Sequence, residues 1–435
     1  MNYLNEKYKL SRYNAFYQSD EATFIWNTYS DALLKLNNIA LKYIHSFSGN
    51  DDKSVEFNLL KSNGFIIHEQ IDEFGRICSH EKQTTYNLNA SEISFVITPT
   101  MSCNYRCKYC FQTTSDKSKV MTPEIAIDVV KYICQQLENN KNAKELRISW
   151  FGGEPLLNLD VIEIISHKLK KYTKQNDINY SALVTTNGRF LDAKTLTLLK
   201  EFHVEKVQIT VDGTCDLYCN SKGALPEDFD CVVNNISYAA EKMKLAIRLN
   251  IPNNDVEEAI VITNYLFNHR SIFNNALVYF AYVCDYSLKP NDARKAFIDY
   301  TENYFKWLKY VINQYGKNKA NIPIPKRKST SCKLIDISNS CIGTYGDLYK
   351  CEHNFGDDSM VIGDIWHGHF FNDAENSFYS AFNTTLKEKC SCCEYLPVCM
   401  GGCPHDLVRN FVRVDCKASQ RMRFKLKLIE GGIIL

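Results

Sequence analysis

The 435-residue chain is 45% hydrophobic and 23% charged, with a formal net charge of +1 at pH 7. A chain this close to neutral has no overall field to attract nucleic acid, so we expect no nucleic-acid partner. Its apolar runs fall short of the ~20 residues of a membrane helix, and its first residues lack the apolar core of a secretory signal. We therefore expect a cytoplasmic protein that does not bind membranes.

Residues 1–88 are predicted to form a small N-terminal α+β domain of winged-helix-like type. Its short β-prone stretches come first, and helical patterns and a final apolar strand follow. The predicted elements are strands at Tyr13–Tyr17 and Thr23–Tyr29, helices at Leu33–Phe47 and Val55–Ser62, and a strand at the apolar run 65–69.

Residues 89–325 alternate between β-rich apolar runs and helical patterns, which indicates an α/β domain with a parallel sheet. In such folds, ligands bind at the carboxyl ends of the strands. The six predicted strands are Ile93–Thr98, Leu146–Phe151, Ser181–Thr186, Lys206–Val211, Ala246–Ile251 and Leu277–Val283. The predicted helices are Pro123–Glu138, Leu159–Lys174, Ala193–Phe202, Phe229–Met243, Val256–Asn268 and the closing Asp292–Gln314.

Residues 326–435 form a third part that is dense in cysteine and poor in regular pattern. The whole chain has 18 cysteines, and in a reducing cytosol clustered cysteines bind metals or iron–sulfur clusters more often than they form disulfides. We therefore expect the packing of this third part to depend on metal chemistry rather than on a large apolar core.

Three cysteines follow the first strand of the α/β domain with the spacing C-x3-C-x2-C: Cys103, Cys107 and Cys110. Three thiolates on one loop can hold three irons of a [4Fe–4S] cluster and leave the fourth iron open to an external ligand. A structural zinc site would need a fourth protein ligand nearby, and the surrounding sequence offers none.

Polar residues and glycines follow the next strands, where the rim of the sheet would face that open iron. The second strand is followed by Gly152, Gly153, Glu154 and Pro155, in which the glycines permit close approach of a ligand and Glu154 offers a carboxylate. Later strands end in two further polar pairs, Thr186 with Asn187 and Arg248 with Asn250.

The cysteine motif and the GGEP motif together resemble the radical S-adenosylmethionine (SAM) superfamily. The resemblance implies a partial (β/α)6 TIM-type barrel and Phe111 as the aromatic residue after the third cysteine. It also implies that SAM chelates the open iron through its amino and carboxylate groups, with the GGEP strand bound to the amino group. The residues implied to contact ribose or methionine carboxylate are Thr186, Asn187, Arg248 and Asn250.

A second set of seven cysteines lies beyond the barrel, and four-thiolate zinc sites or iron–sulfur clusters would both suit them. With the GGCP run at Gly401–Pro404, their pattern resembles the SPASM extension of radical SAM peptide-modifying enzymes. The resemblance implies two auxiliary [4Fe–4S] clusters, and therefore three clusters in all. The implied ligands are Cys332, Cys351 and Cys403 for the first, and Cys390, Cys393, Cys399 and Cys416 for the second.

The first auxiliary cluster is one ligand short in this assignment. Cys341 lies between Cys332 and Cys351 and is a candidate for the fourth thiolate. The alternative is an open iron that binds a substrate thiolate. The sequence leaves both possibilities standing.

The N-terminal domain resembles the peptide-recognition domains of maturases for ribosomally made, post-translationally modified peptides (RiPPs). Such a domain binds the leader of a precursor peptide as an added strand. We therefore expect a RiPP maturase that forms an intramolecular cross-link, with a thioether favoured over carbon–carbon or ether bonds. It would take electrons from an external flavodoxin or ferredoxin.

Two alternatives have different sequence signatures. An anaerobic sulfatase-maturating enzyme shares the barrel and both auxiliary clusters but needs no leader-binding domain. An iron–sulfur electron carrier without catalysis would not need the SAM-binding run Gly152–Pro155. The segment 214–223 departs from the family, in which many relatives carry a His and paired arginines, so no role is transferred to it and no catalytic base is assigned.

Overall fold

The computed structural model describes residues 7–50, 53–112, 116–285, 288–369, 388, 390–408 and 414–433. The N-terminal part contains a two-stranded antiparallel sheet, a three-stranded antiparallel sheet and three helices. In chain order its elements are β1 (Tyr8–Leu10), β2 (Asn14–Gln18), β3 (Thr23–Asn27), β4 (Leu33–Leu36), α1 (Asn38–Ser46), α2 (Val55–Ser62), β5 (Ile66–His68) and α3 (Glu73–Thr85).

The prediction of one helix over Leu33–Phe47 is wrong in its first turn. Residues Leu33–Leu36 form β4, which pairs with β3, and the helix begins only after Asn37. The Asn37 side chain accepts a hydrogen bond of 2.7 Å from the Ala40 amide, as an N-cap does. Because β4 has apolar side chains on both of its faces, its sequence fits the periodicity of a helix as well as that of a short strand.

The α/β part confirms the six predicted parallel strands, which lie in the sheet in chain order. Most strand boundaries lie within two residues of those predicted, and two additional helices, α7 and α10, occur. Its elements are β6 (Glu92–Ile97), α4 (Pro123–Asn139), β7 (Glu145–Trp150), α5 (Leu159–Gln175), β8 (Asn179–Thr186), α6 (Ala193–Glu201), β9 (Val204–Val211), α7 (Cys215–Lys222), α8 (Pro226–Lys242), β10 (Leu245–Leu249), α9 (Val256–Phe267), α10 (Arg270–Asn275), β11 (Ala276–Phe280) and α11 (Pro290–Tyr315).

The C-terminal part continues this sheet instead of folding apart from it. Strand β12 runs parallel to β6, and three short antiparallel strands extend the sheet beyond it. These elements are β12 (Ser340–Ile342), β13 (Asp347–Tyr349), β14 (Gly363–Asp364), β15 (Gly368–His369), α12 (Leu396–Cys399), α13 (Pro404–Val408) and α14 (Cys416–Glu430).

The N-terminal sheet packs against the C-terminal part through aromatic side chains. Trp26 of β3 is fully buried and makes edge contacts with Tyr395 at 6.0 Å and Phe424 at 5.8 Å between ring centroids. On the opposite face, Ile25 packs with residues of α1 and α2. None of the described helices is long and apolar enough to cross a lipid bilayer.

Candidate active site

The three-cysteine loop leaves the carboxyl end of β6 and is held in place by helix α7. The backbone amide of Arg106 donates to the Lys222 carbonyl at 2.9 Å, and that of Lys108 donates to the Ser221 carbonyl at 2.9 Å. The last carbonyls of a helix lack partners within the helix, so they are free to bind another segment. Helix α7 was missed in the sequence because Tyr218 is its one large buried apolar side chain.

In the structure the thiols of Cys103, Cys107 and Cys110 lie near one another, since those of Cys103 and Cys110 both add to the raised pKa of Cys107. Burial raises the pKa of the Cys107 thiol to about 11, with the Lys222 ammonium acting in the opposite direction. Burial also raises the pKa of Cys103, and the Cys110 thiol adds to that effect. Iron binds thiolates, so cluster assembly would displace protons from the Cys103 and Cys107 thiols. A compact group of three thiols at the carboxyl edge of the sheet fits a [4Fe–4S] cluster.

A buried ion pair lies beside this loop. The Lys222 ammonium is 3.1 Å from the Asp212 carboxylate, and the two side chains are 1% and 0% exposed. Lys222 also donates to the Thr210 hydroxyl at 3.1 Å, and Ser221 donates to Asp212 at 2.8 Å. Burial alone would lower the pKa of Lys222, but the Asp212 carboxylate holds it well above its ordinary value. The pair fastens the end of α7 to β9.

Gly152 and Gly153 allow the GGEP segment to lie directly on the chain that enters the cysteine loop. A Cβ at Gly152 would lie 2.6 Å from the Thr100 carbonyl oxygen, and one at Gly153 would collide with the Ser102 carbonyl. The Gly153 amide donates to Thr100 at 3.0 Å. These glycines were expected to permit close approach of a ligand, and in the structure they permit close approach of two backbone segments.

Glu154 is fully buried, and both of its carboxylate oxygens accept hydrogen bonds from the chain. The Thr186 hydroxyl donates at 2.7 Å, the Asn187 amide at 2.8 Å and the Leu156 amide at 3.1 Å. Burial raises the pKa of Glu154, and these three hydrogen bonds oppose that rise. Glu154 therefore joins the GGEP segment to the end of β8, and Pro155 follows it as a buried residue that opens a short 3-10 turn.

We expect Glu154→Gln to weaken both the fold and SAM binding. A carboxamide would turn its NH2 group toward one of the three donors, which costs about 1–3 kcal/mol for an unsatisfied buried group. The unfolding midpoint in urea and SAM titration calorimetry measure the two effects. The matched control is Glu163→Gln on the exposed face of α5. Equal behaviour of the two variants would contradict a structural role for the Glu154 carboxylate.

The remaining residues predicted to bind the cofactor lie on the same rim and are joined to the cysteine loop by hydrogen bonds. Asn187 donates to Asn104 at 2.9 Å. Arg248 donates to Asn250 at 2.8 Å, and Asn250 donates in turn to the Tyr109 hydroxyl at 3.3 Å. Tyr109 was not predicted, although its position between two cluster cysteines was a signal. Arg248 forms no ion pair within the described residues, so its charge is available to an anionic ligand.

Phe111 connects the cysteine loop with the C-terminal part. Its ring stacks on His353 with 4.2 Å between centroids, and on Phe151 with 6.3 Å. His353 follows Cys351 by two residues. The residue after the third cluster cysteine thus contacts a segment that carries a predicted ligand of the first auxiliary cluster.

The structure also groups the C-terminal cysteines. Burial raises the pKa of Cys332 to about 11, and the pKa values of Cys332 and Cys351 are both raised further by the Cys403 thiol. In the other set, the Cys399 thiol contributes to the raised pKa values of Cys393 and Cys416. Cys390 packs against the apolar cluster of Leu396 and Met400, and so does Cys332 of the first set. Three thiols of each predicted set thus lie near one another, and such groups of thiols would suit iron–sulfur clusters.

Cys341 is enclosed on the central strand β12. It is 0% exposed and packs among Met101, Leu334, Tyr349 and Phe355. Burial raises its pKa well above the ordinary value, with Glu352 and the Cys351 thiol adding to the rise. Its thiol is therefore near the first auxiliary group but surrounded by apolar side chains.

Two histidines beside the first auxiliary group were missed in the sequence. His353 and His405 each follow a predicted ligand by two residues, in Cys351-Glu-His353 and Cys403-Pro-His405. Their rings lie 5.2 Å apart. The repeated C-x-H spacing was the signal, and it becomes meaningful only because the fold brings the two segments together.

Comparisons with known proteins agree with this geometry. Residues 97–265 match the family model described as Radical SAM superfamily. The chain is similar to radical SAM cyclopropyl synthase TigE of Paramaledivibacter caminithermalis, with 30% identity over 187 residues that span 39% of each chain. It is also similar to a cysteine-type anaerobic sulfatase-maturating enzyme of Clostridium novyi, with 24% identity over 350 residues, or 73% of this chain and 90% of that one.

A solved structure shares the fold. The structure of anSMEcpe with bound AdoMet, which is SAM, and the Cp18Cys peptide aligns with a TM-score of 0.55 at 17% identity. The alignment covers 78% of this chain and 97% of that one. At this identity the likeness establishes the fold alone, and the large parallel sheet of the present chain is consistent with a radical SAM partial barrel.

Proposed function

Residues 97–265 match the radical SAM superfamily, and from that premise we propose that the chain is a peptide maturase that forms an intramolecular cross-link in a ribosomally made precursor. The observation that carries the proposal is the contact of the GGEP segment with the cysteine loop, alongside two further cysteine groups. Gly153 donates to Thr100 and Glu154 donates to Ser102 at 2.8 Å, so the two superfamily motifs form one unit. The peptide bound by anSMEcpe supports a peptide substrate.

Each part of the site has a role in this proposal. Cys103, Cys107 and Cys110 would hold the cluster that binds SAM, and bound SAM would supply the radical chemistry that removes a hydrogen atom from a C–H bond. Thr186, Asn187, Arg248 and Asn250 hold the cofactor at the rim. Phe111 stacks on His353 and closes one side of the site, which excludes water from a reactive radical.

A thioether is the favoured bond, and the reaction that forms it balances in atoms and electrons. An external flavodoxin-type or ferredoxin-type donor supplies one electron for SAM cleavage. The peptide loses one hydrogen atom to 5′-deoxyadenosine, and its cysteine thiol loses one proton as the C–S bond forms. The remaining electron would pass to the auxiliary clusters that the C-terminal cysteines would hold. A carbon–carbon or ether bond has the same balance.

We assign the leader-binding role to the N-terminal part, residues 1–88, which we interpret as winged-helix-like. Strands β2 and β4 form the two edges of its three-stranded sheet, and an edge strand can accept an extended peptide through main-chain hydrogen bonds. Residues 89–325 would carry the SAM chemistry and residues 326–435 the auxiliary clusters. The proposed site of action is the cytoplasm.

The alternative is sulfatase maturation, in which a cysteine of the sulfatase becomes formylglycine. The similarity to the Clostridium novyi enzyme over 73% of this chain favours it. Against it, the alignment covers 97% of the anSMEcpe structure but only 78% of this chain. This chain therefore has residues beyond those that match anSMEcpe, and a leader-binding domain would account for them.

The test is anaerobic turnover with SAM, dithionite and any short cysteine-containing peptide that is encoded beside the gene, followed by mass spectrometry. We expect 5′-deoxyadenosine and a peptide lighter by two hydrogen atoms, and fragmentation then locates the bond. A parallel assay contains a cysteine peptide with a sulfatase sequence. Formylglycine in that peptide, with the precursor unchanged, would overturn the maturase assignment in favour of the alternative.

A further inference from the structure

The buried pair of Lys222 and Asp212 has a cost that its role in the fold does not explain. The two charged side chains are 1% and 0% exposed, and taking two charges out of water is expensive even when they are paired. Asp212 also accepts a hydrogen bond from Ser221, and Lys222 donates one to Thr210. Since an apolar pair of similar volume often stabilises a fold as well or better, fastening α7 to β9 does not by itself require these charges.

The Lys222 ammonium lies against the three-cysteine loop. Its nitrogen is 6.0 Å from the centroid of the Tyr105 ring, and Tyr105 lies between Cys103 and Cys107 in the loop. The Lys222 carbonyl accepts a hydrogen bond of 2.9 Å from the Arg106 amide. The backbone and the side chain of this lysine therefore both lie beside the same stretch of the loop.

The positive charge of the pair has the larger effect on the loop. The Asp212 carboxylate is held by Ser221 and Lys222, which both belong to α7 and not to the loop. Burial has the largest effect on the pKa of Cys107, but among the charges Lys222 lowers that pKa by more than Asp212 raises it. The loop thus experiences a positive potential from a pair that is neutral as a whole.

This positive potential differs from that of the loop's own basic residues. Arg106 and Lys108 are exposed, so water and salt screen their charges. Lys222 is buried, and its charge is screened much less. One-electron reduction adds a negative charge to a [4Fe–4S] cluster, so a fixed positive charge nearby stabilises the reduced form more than the oxidised form.

We propose that the Lys222 ammonium raises the reduction potential of the cluster predicted on the three-cysteine loop, and that Asp212 holds this ammonium in place. Lys222 is then a positioning residue that acts on the cluster through its charge and touches neither SAM nor the peptide. An external flavodoxin-type or ferredoxin-type donor would reduce the cluster more readily as a result. The inference rests on the presence of the SAM cluster, which the proposed function also requires.

The test separates the charge of the pair from its contribution to the fold. Lys222→Met removes the ammonium alone, and Asp212→Leu with Lys222→Met removes both charges but keeps apolar side chains at the two positions. The SAM cluster is recognised by the change that added SAM causes in its EPR spectrum, and its midpoint potential is then measured without SAM by titration with dithionite. We expect the equilibrium constant for cluster reduction to fall about tenfold in both variants, which corresponds to 59 mV for a one-electron couple.

Urea denaturation of the same proteins distinguishes this result from a structural effect. The single variant should lose stability, whereas the double variant should keep most of it and still have the lowered potential. The control Lys242→Met, at the exposed end of α8, should have the potential of the parent protein.

The opposite outcomes are distinct. A parental potential in the stable double variant would overturn the inference and leave Lys222 with a structural role alone, and so would a potential that rises in either variant. A parent protein without a SAM-sensitive EPR signal would overturn the SAM cluster itself, and with it the proposed function, instead of the effect of Lys222 alone.

Discussion

Replacing Cys103, Cys107 and Cys110 by alanine is expected to abolish formation of 5′-deoxyadenosine and to remove about four irons per chain. The three residues lie on one loop at the carboxyl end of β6, and the C-terminal cysteine groups lie on separate segments. Loss of the loop thiols should therefore leave the auxiliary iron in place. Anaerobic iron analysis and chromatography of the SAM cleavage products measure the two effects.

The control for this variant is Cys134→Ala. Cys134 is a partly buried cysteine of α4 that packs against the apolar core and does not belong to the three-cysteine loop. It should retain the full iron content and form 5′-deoxyadenosine at a normal rate. Deoxyadenosine formation by the triple variant would show that SAM is cleaved elsewhere and would overturn the assignment of the loop.

Lys222→Met is expected to lower the free energy of unfolding by about 3–5 kcal/mol, because it leaves the Asp212 carboxylate buried and unpaired. Both side chains are almost fully buried, so water cannot replace the missing ammonium. The same change should loosen the cysteine loop, since its amides are held by the carbonyls of Ser221 and Lys222. Urea denaturation of the metal-free protein under reducing conditions measures the loss.

Two further variants show whether the loss of unfolding free energy comes from the unpaired charge. The double variant Asp212→Leu with Lys222→Met removes both charges and should recover most of the stability. Lys242→Met, at the exposed end of α8, should change stability by less than about 0.5 kcal/mol. A loss below about 1 kcal/mol in Lys222→Met would mean that water reaches the pair.

The six parallel strands β6 to β11 were predictable because their runs are apolar and lie between helical patterns with polar faces. Helix α7 was not, because its sequence CDLYCNSK has no apolar stripe and its contacts are made through backbone carbonyls. Local patterns also failed at Leu33–Leu36, where pairing with β3 outweighs helical periodicity. Elements formed by tertiary contacts leave little signal in the local sequence.

The candidate site likewise combines features that the local sequence predicts with features that depend on tertiary contacts. The spacing of Cys103, Cys107 and Cys110 was visible in the sequence because all three lie on one loop. Glu154 was predicted to bind the cofactor, but its structural role was not visible, because its hydrogen-bond partners Thr186 and Asn187 come from another strand. His353 and His405 carry a local signal, but their proximity depends on how the C-terminal segments fold.

The pairing of β12 with β6 has a consequence for the order in which the chain folds during synthesis. The Ser94 amide of β6 donates to Asn339 across 245 residues of sequence. At about 5–20 residues per second, the ribosome needs on the order of tens of seconds to deliver the partner strand. Throughout that interval the strand that leads into the cysteine loop has an uncovered edge, which is open to pairing with another nascent chain.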